Sequence, residues 1–132
     1  MRRNFLVAAV AATLAVPAVA QDAAEGALLY HWYCASCHGM DADGKGPMAP
    51  VLLVPPTDLT QLSAGSEGVF PLVRVAMRID GRDPLVSHGS RMPVFGPLFQ
   101  GNEVALKTAA GQPVLMGRTV ADLVLYLQEI QK

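Results

Sequence analysis

Cys34-Ala35-Ser36-Cys37-His38 governs the reading of this 132-residue chain. A Cys-x-x-Cys-His run is the attachment pattern of c-type haem. Two thiols three positions apart on one helical turn can meet the two vinyl groups of one porphyrin. The adjoining imidazole is then carried under the iron as its proximal ligand. The pattern predicts one haem c, covalent through Cys34 and Cys37, with His38 on the metal. Two other chemistries use the same residue types. A redox-active disulfide calls for a βαβ context, whereas the flanks here read as helical. A zinc site needs about two further ligands, such as His31 and His88.

On the amino-terminal side, Asp22-Ala-Ala-Glu25 has the form of a capping box opening a helix towards Cys34. Gly26, Tyr30 and Cys34 recur at intervals of four and share one face of it. A glycine there weakens a helix but admits another backbone at close range. His31 lies one position off that face and reads as a solvated helix histidine. Further out, Arg2 and Arg3 precede the uncharged, almost wholly apolar stretch Phe5 to Val16, and Ala18-Val19-Ala20 is an A-x-A cleavage pattern. Residues 1–20 are therefore expected to be a Sec-type signal peptide and residues 21–132 one exported domain, placed in the periplasm, where c-type haem is ligated. An uncleaved anchor is the alternative. Removing Arg2 and Arg3 moves the formal charge from −1 to −3, a mildly acidic balance that argues against nucleic acid as a partner.

On the carboxyl side, Asp41 to Pro56 holds Gly44, Gly46, Pro47, Pro50, Pro55 and Pro56 and reads as an irregular loop. Leu72, Val75, Ala76 and Ile79 fall at i, i+3, i+4 and i+7, predicting a short amphipathic helix over 71–79 with Gly81 past its end. Asp80 to Gly101 is again rich in glycine and proline. Glu103 to Ala110 reads as one or two further helical turns. Thr119-Val-Ala-Asp122 opens a last helix towards Gln131, striped by Val120, Leu123, Val124, Leu127 and Ile130. The expectation is an all-α domain. Loops of this length ordinarily count against such an assignment, unless a central haem gives them something to wrap.

The iron's second axial ligand separates electron transfer from small-molecule chemistry. Met40 is too close in sequence to His38 to cross the ring, and Met48 lies in the loop that starts on the proximal side. Met77 and Met116 read as packing residues. Met92 sits in a loop and precedes Pro93, which biases it to extended backbone and would present the sulfur at a fixed place. Met92 is the favoured ligand, with His88 as the bis-histidine alternative and an open iron as the third.

These residues together resemble the class I cytochrome c family over nearly all of residues 21–132. Gly26, Tyr30 and Cys34-Ala-Ser-Cys37-His38-Gly39 are similar to its first helix and attachment motif, and Met92-Pro93 to its distal ligand motif. Tyr126-Leu127 is similar to the aromatic-aliphatic pair of its closing helix. The resemblance implies a cytochrome c fold in which Gly26 and Tyr30 pack on Leu123, Tyr126 and Leu127. It also implies that the carbonyl of Pro47, or of Pro50 in its place, accepts the N–H of the proximal imidazole and so fixes its orientation. The segment His88-Gly-Ser-Arg-Met92-Pro-Val-Phe-Gly96 resembles that of small exported bacterial monohaem cytochromes. One departure stands out: the lysine ring common in the family is reduced to Lys45, Lys107 and Lys132.

The function so implied is a soluble electron carrier, not an enzyme, serving redox protein partners and meeting a membrane only through a membrane-bound partner or an uncleaved signal. Competing readings are a haem c subunit bound permanently to an exported dehydrogenase or terminal oxidase, and an open-site sensor or peroxidase. Arg74, Arg78, Arg82 and Arg91 cluster in the half of the chain that carries Met92, and some of them could pair with haem propionates or orient an acidic partner. Their plainer role is a solvated face.

Overall fold

Residues 22–84 and 92–132 are described by a computed structural model. The expected signal segment, His88 and Arg91 lie outside them. Helix α1 (Ala23–Tyr33) starts at Asp22, whose carboxylate accepts the Ala24 N–H at 2.8 Å. The reciprocal half of a capping box, a carboxylate on the Asp22 N–H, does not come from Glu25. It comes from Asp122, one hundred residues away, at 2.8 Å. Asp122 is buried, and this bond satisfies one of the orphan donors of the helix start. The short α2 (Ala35–His38) follows after a break at Cys34.

Helix α3 (Leu72–Asp80) buries Leu72, Val75, Ala76 and Ile79, the face read from the sequence. It ends at Gly81, whose φ of 88° lets its N–H return to the Met77 carbonyl at 3.0 Å. The last helix, α4 (Arg118–Glu129), buries Val120, Leu123, Val124 and Leu127. It begins one residue before Thr119, and no side chain caps it.

The all-α expectation is overturned. Residues 103–117 form an antiparallel hairpin, β1 (Glu103–Lys107) with β2 (Pro113–Gly117), in a register that pairs Val104 with Met116 and Leu106 with Val114. The chain is thus mixed α and β, and the helical turns expected over 103–110 are a strand and its turn. The reason is a period of two: Val104, Leu106, Val114 and Met116 lean on the core while their neighbours face outward. The turn closes through two bonds between Thr108 and Gln112 or Gly111, with Gly111 at φ +82°. Glu, Ala, Leu and Lys are helix formers, and they hid the alternation.

Helices α1 and α4 cross at Gly26. A Cβ there would run into the Asp122 carbonyl oxygen and lie 2.9 Å from the Tyr126 Cβ. Only a bare backbone fits. One turn on, the Tyr30 and Tyr126 rings meet at 5.3 Å between centroids. Around this crossing lies the core of Leu123, Val124, Val120, Met116, Phe99, Leu72, Val75 and Ile79. The loop between α2 and α3 holds short 3-10 turns at Ala49–Val51, Leu59–Gln61 and Ala64–Ser66. Gln131 ties that loop to the end of α4, donating to the Leu59 carbonyl at 2.7 Å and accepting from the Ser63 N–H at 2.8 Å.

Candidate functional site

The turn that carries Cys34, Cys37 and His38 is held by its backbone. The Cys34 carbonyl accepts from Cys37 and His38, and that of Ala35 accepts from Gly39. The next three carbonyls, which a four-residue helix leaves without internal partners, are met by the following loop. Met48 N–H reaches Ser36 O at 2.9 Å, Gly46 N–H reaches Cys37 O at 3.1 Å, and Gly44 N–H reaches His38 O at 2.8 Å. Gly46 is required for that approach, since a Cβ there would stand 2.5 Å from Ser36 O and 2.6 Å from Cys37 O. The Gly39 carbonyl takes the Tyr30 hydroxyl at 2.6 Å, and burial pushes that phenol well above the usual tyrosine range.

His38 is half-buried, and its Nδ1 lies 2.9 Å from the Thr57 carbonyl oxygen. A carbonyl can only accept, so Nδ1 carries a proton, and in the neutral ring the lone pair falls on Nε2. That is the tautomer a metal binds. The acceptor was expected to be Pro47 or Pro50. Pro47 is exposed, and in this structure Thr57 supplies the carbonyl. Any residue type offers a carbonyl, so no side-chain signature pointed to Thr57. Its position follows from a backbone contact, because a Cβ on Gly44 would come within 2.5 Å of Pro56 O and 3.3 Å of the Thr57 carbonyl carbon.

Cys34 and Cys37 are free, half-buried thiols. Burial, reinforced by Cys37 nearby, pushes the Cys34 thiol up to about 11. Cys34 is therefore protonated at neutral pH. A dithiol oxidoreductase needs the opposite, a nucleophile with a lowered pKa. Among the described residues, no group of three or more His, Cys, Asp or Glu side chains could hold a metal ion. Hence Cys34 and Cys37 do not combine with His31 into a tetrahedral zinc site.

The Met92 segment is brought to the same end of α1. Phe95 N–H bonds the Ile79 carbonyl at 2.9 Å, fixing the segment to α3. Phe95 and Phe99 stack at 5.4 Å, and Tyr33, the residue before Cys34, meets their rings edge-on at 6.2 and 5.1 Å. Met92 itself is half-buried against the core. The other candidates sort as follows: Met40 and Met48 are 66% and 45% exposed, whereas Met116 is 1% exposed and fills the space under the hairpin. His88 lies outside the described residues. Of the arginines, Arg78 pairs with Asp83 at 2.9 Å and Arg82 with Asp80 at 2.7 Å.

The donor set fits a covalently attached haem: two free thiols on one turn, an imidazole in the ligating tautomer, and apolar loop residues left uncovered, among them Met48, Val94 and Leu98. No family model, curated protein or solved structure matches the chain. No helix among the described residues is long and apolar enough to cross a membrane.

Proposed function

We propose that the chain is an exported carrier of single electrons, a small cytochrome of the class I c type, working through one haem c. Cys34 and Cys37 would hold the group by thioethers, and His38 and Met92 would supply the protein's ligands to its iron. Bound there, haem supplies a ferrous/ferric couple that exchanges one electron without forming a bond to substrate.

The observation that carries this reading is the state of His38. The Thr57 carbonyl accepts the Nδ1 proton, which fixes the ring's orientation and puts the neutral ring's lone pair on Nε2. Three bonds from the 44–48 loop hold the turn on which His38 stands. An imidazole held this way would keep its position were iron bound to it, so His38 would contribute little rearrangement to an exchange of one electron. Tyr33, Phe95 and Phe99 tie the Cys34 end of α1 to the Met92 segment.

The test is production in a host that matures c-type cytochromes, followed by a denaturing gel stained for haem and an intact mass. A colourless product without added tetrapyrrole mass ends the reading. If haem is attached, the oxidised protein should show the weak long-wavelength band of methionine sulfur on ferric iron. Met92→Ala should lose it and His88→Ala should keep it; a parent protein with attached haem, a low-spin bis-histidine spectrum and no such band moves the ligand to His88.

A second reading, a haem c subunit held permanently by an exported dehydrogenase or oxidase, has one observation behind it. Trp32 is 82% exposed and Leu28, one turn earlier, 56%, an apolar stripe on the outer face of α1. A single, monomeric elution from the periplasmic fraction of the native host excludes it.

A further inference from the structure

Loop 44–57 has a neck and a tip of opposite character. The neck closes where Gly44 packs on Pro56 and Thr57, and it is bonded to the carbonyls of Ser36, Cys37 and His38. Beyond it, Val51 is 72% and Leu53 92% exposed, with Val54 beside them at 47%. Four prolines, Pro47, Pro50, Pro55 and Pro56, stiffen the loop, so little freedom remains to be lost when another surface covers it. A rigid apolar projection of this kind has the form of an interface anchor.

Charge states what covers it. Residues 22–70 carry six carboxylates and a single basic group other than histidine, Lys45, for a net charge of −5. Residues 71–132 carry seven Lys and Arg against five Asp and Glu, a net +2. Lys45 is already paired with Asp43 at 2.8 Å. Asp41, Asp43 and Asp58 share the walls of a concavity of about 690 Å³ at the neck, with Lys45 and Lys132 also lining it. An anionic lipid surface is repelled by such a neck. A protein face with lysine and arginine around an apolar hollow is attracted to it.

We propose that loop 44–57 is the docking surface for a basic electron-transfer protein. Val51 and Leu53 enter an apolar hollow on that protein, and its cationic rim meets the acidic half of this chain. That the partner exchanges electrons rests on the function proposed above; that it is apolar at the contact rests on the loop tip, and that it is basic rests on the carboxylates flanking the loop, Asp41, Asp43 and Asp58. Seated there, it stands directly on the loop that holds the His38 turn.

The test uses the exported full chain, 15N-labelled and kept reduced with ascorbate, with three redox-silent paramagnetic probes. Tris(phenanthroline)chromium(III) is cationic with an apolar skin, hexaamminechromium(III) is cationic and polar, and hexacyanochromate(III) is anionic. The first should broaden amides of residues 41–58 at the lowest concentration, the second should need several-fold more, and the third should leave them sharp. Leu53→Ser, at an almost fully exposed position, should weaken the first probe about tenfold, as loss of one buried leucine implies. Asp41→Lys should weaken both cationic probes and flatten their salt dependence. Broadening centred on α3, equal response to all three probes, or an unchanged Leu53→Ser overturns the proposal. So does binding of the chain to phosphatidylcholine or phosphatidylglycerol vesicles that Leu53→Ser abolishes, since the tip would then be a lipid anchor. Haem content is read separately from the absorption spectrum, so a colourless chain that still responds at 41–58 loses the carrier function and keeps the docking surface.

Discussion

The attachment turn and the hairpin half of the molecule are held in place by different means. Between residues 34 and 59 only Ala35 and Ala42 are fully buried apolar side chains; order there comes from carbonyls meeting N–H groups across glycines. The half built from α3, the hairpin and α4 is held by filling, with Leu72, Val75, Ile79, Phe99, Leu106, Met116, Val120 and Leu123 in contact. The first kind of order is spoiled by adding atoms, the second by removing them. A site that must hold an imidazole at a set angle gains from the first kind, because hydrogen bonds fix direction while apolar packing mainly fixes volume.

The two regions join at the α1–α4 crossing, where the largest effect is expected. Gly26→Val places a branched carbon against the Asp122 carbonyl and should lower stability by about 4 kcal/mol or more, since the obstacle is backbone that cannot turn aside. Urea unfolding reads this directly, and a wild-type midpoint would show that the helices can part without loss. On the packed side, Met116→Ala removes a side chain that is 1% exposed and should cost about 3 kcal/mol. A loss under about 1 kcal/mol would mean that the hairpin collapses into the space and that filling is not what holds it.

On the hydrogen-bonded side, Tyr30→Phe keeps the ring and takes the hydroxyl from the Gly39 carbonyl. That oxygen still receives the Ala42 N–H at 3.2 Å, so a loss of about 1–2 kcal/mol is expected.

Cys34 supplies a smaller effect, with a sign that follows from linkage. Its folded value of about 11 lies above that of an unfolded thiol. The protonated thiol is therefore favoured by folding, and this stability is fully present below the unfolded pKa and is lost as pH rises towards and through the folded one. In a chain with unmodified thiols the loss should be about 0.5 kcal/mol by pH 9 and grow as pH rises further towards the folded value. Cys34→Ser should abolish that slope. A chain whose thiols are bound in thioethers should not show it either, so the slope also reports how much of a preparation is unattached.

Much of this was legible in the chain. The α1 start, the face of α3, the α4 stripe and the close approach at Gly26 are local patterns or single-residue constraints, and the structure places all four where the sequence does. The hairpin was not legible as such. In Glu103-Val-Ala-Leu-Lys107 the alternating burial is carried by two residues, and the propensities of the five point to helix. Nor could the sequence show that Asp122, read as part of a helix start, spends its carboxylate on the Asp22 N–H, or that Thr57 lends a carbonyl to His38. Both contacts span regions far apart in the chain and use groups that every residue, or every aspartate, possesses.

The hairpin's outer face gives the smallest effect and the sharpest control on the comparison. Leu115 pairs across the ladder with Ala105 and is 57% exposed, whereas its neighbour Met116 is sealed under the sheet. Successive strand residues point to opposite faces, so one step along β2 separates a residue held by filling from one held by nothing. Leu115→Ser should therefore change stability by less than about 0.5 kcal/mol, against the loss of about 3 kcal/mol at Met116. Serine is a poorer strand former than leucine, which biases the small change towards destabilisation. If Leu115→Ser instead matched Met116→Ala, the outer face would be packed against something in solution, and the strand's alternation would no longer mark an inside and an outside. Sedimentation of the variant and the parent would identify that cover, since loss of a self-association would appear as a change in mass at the same concentration that restores the small effect.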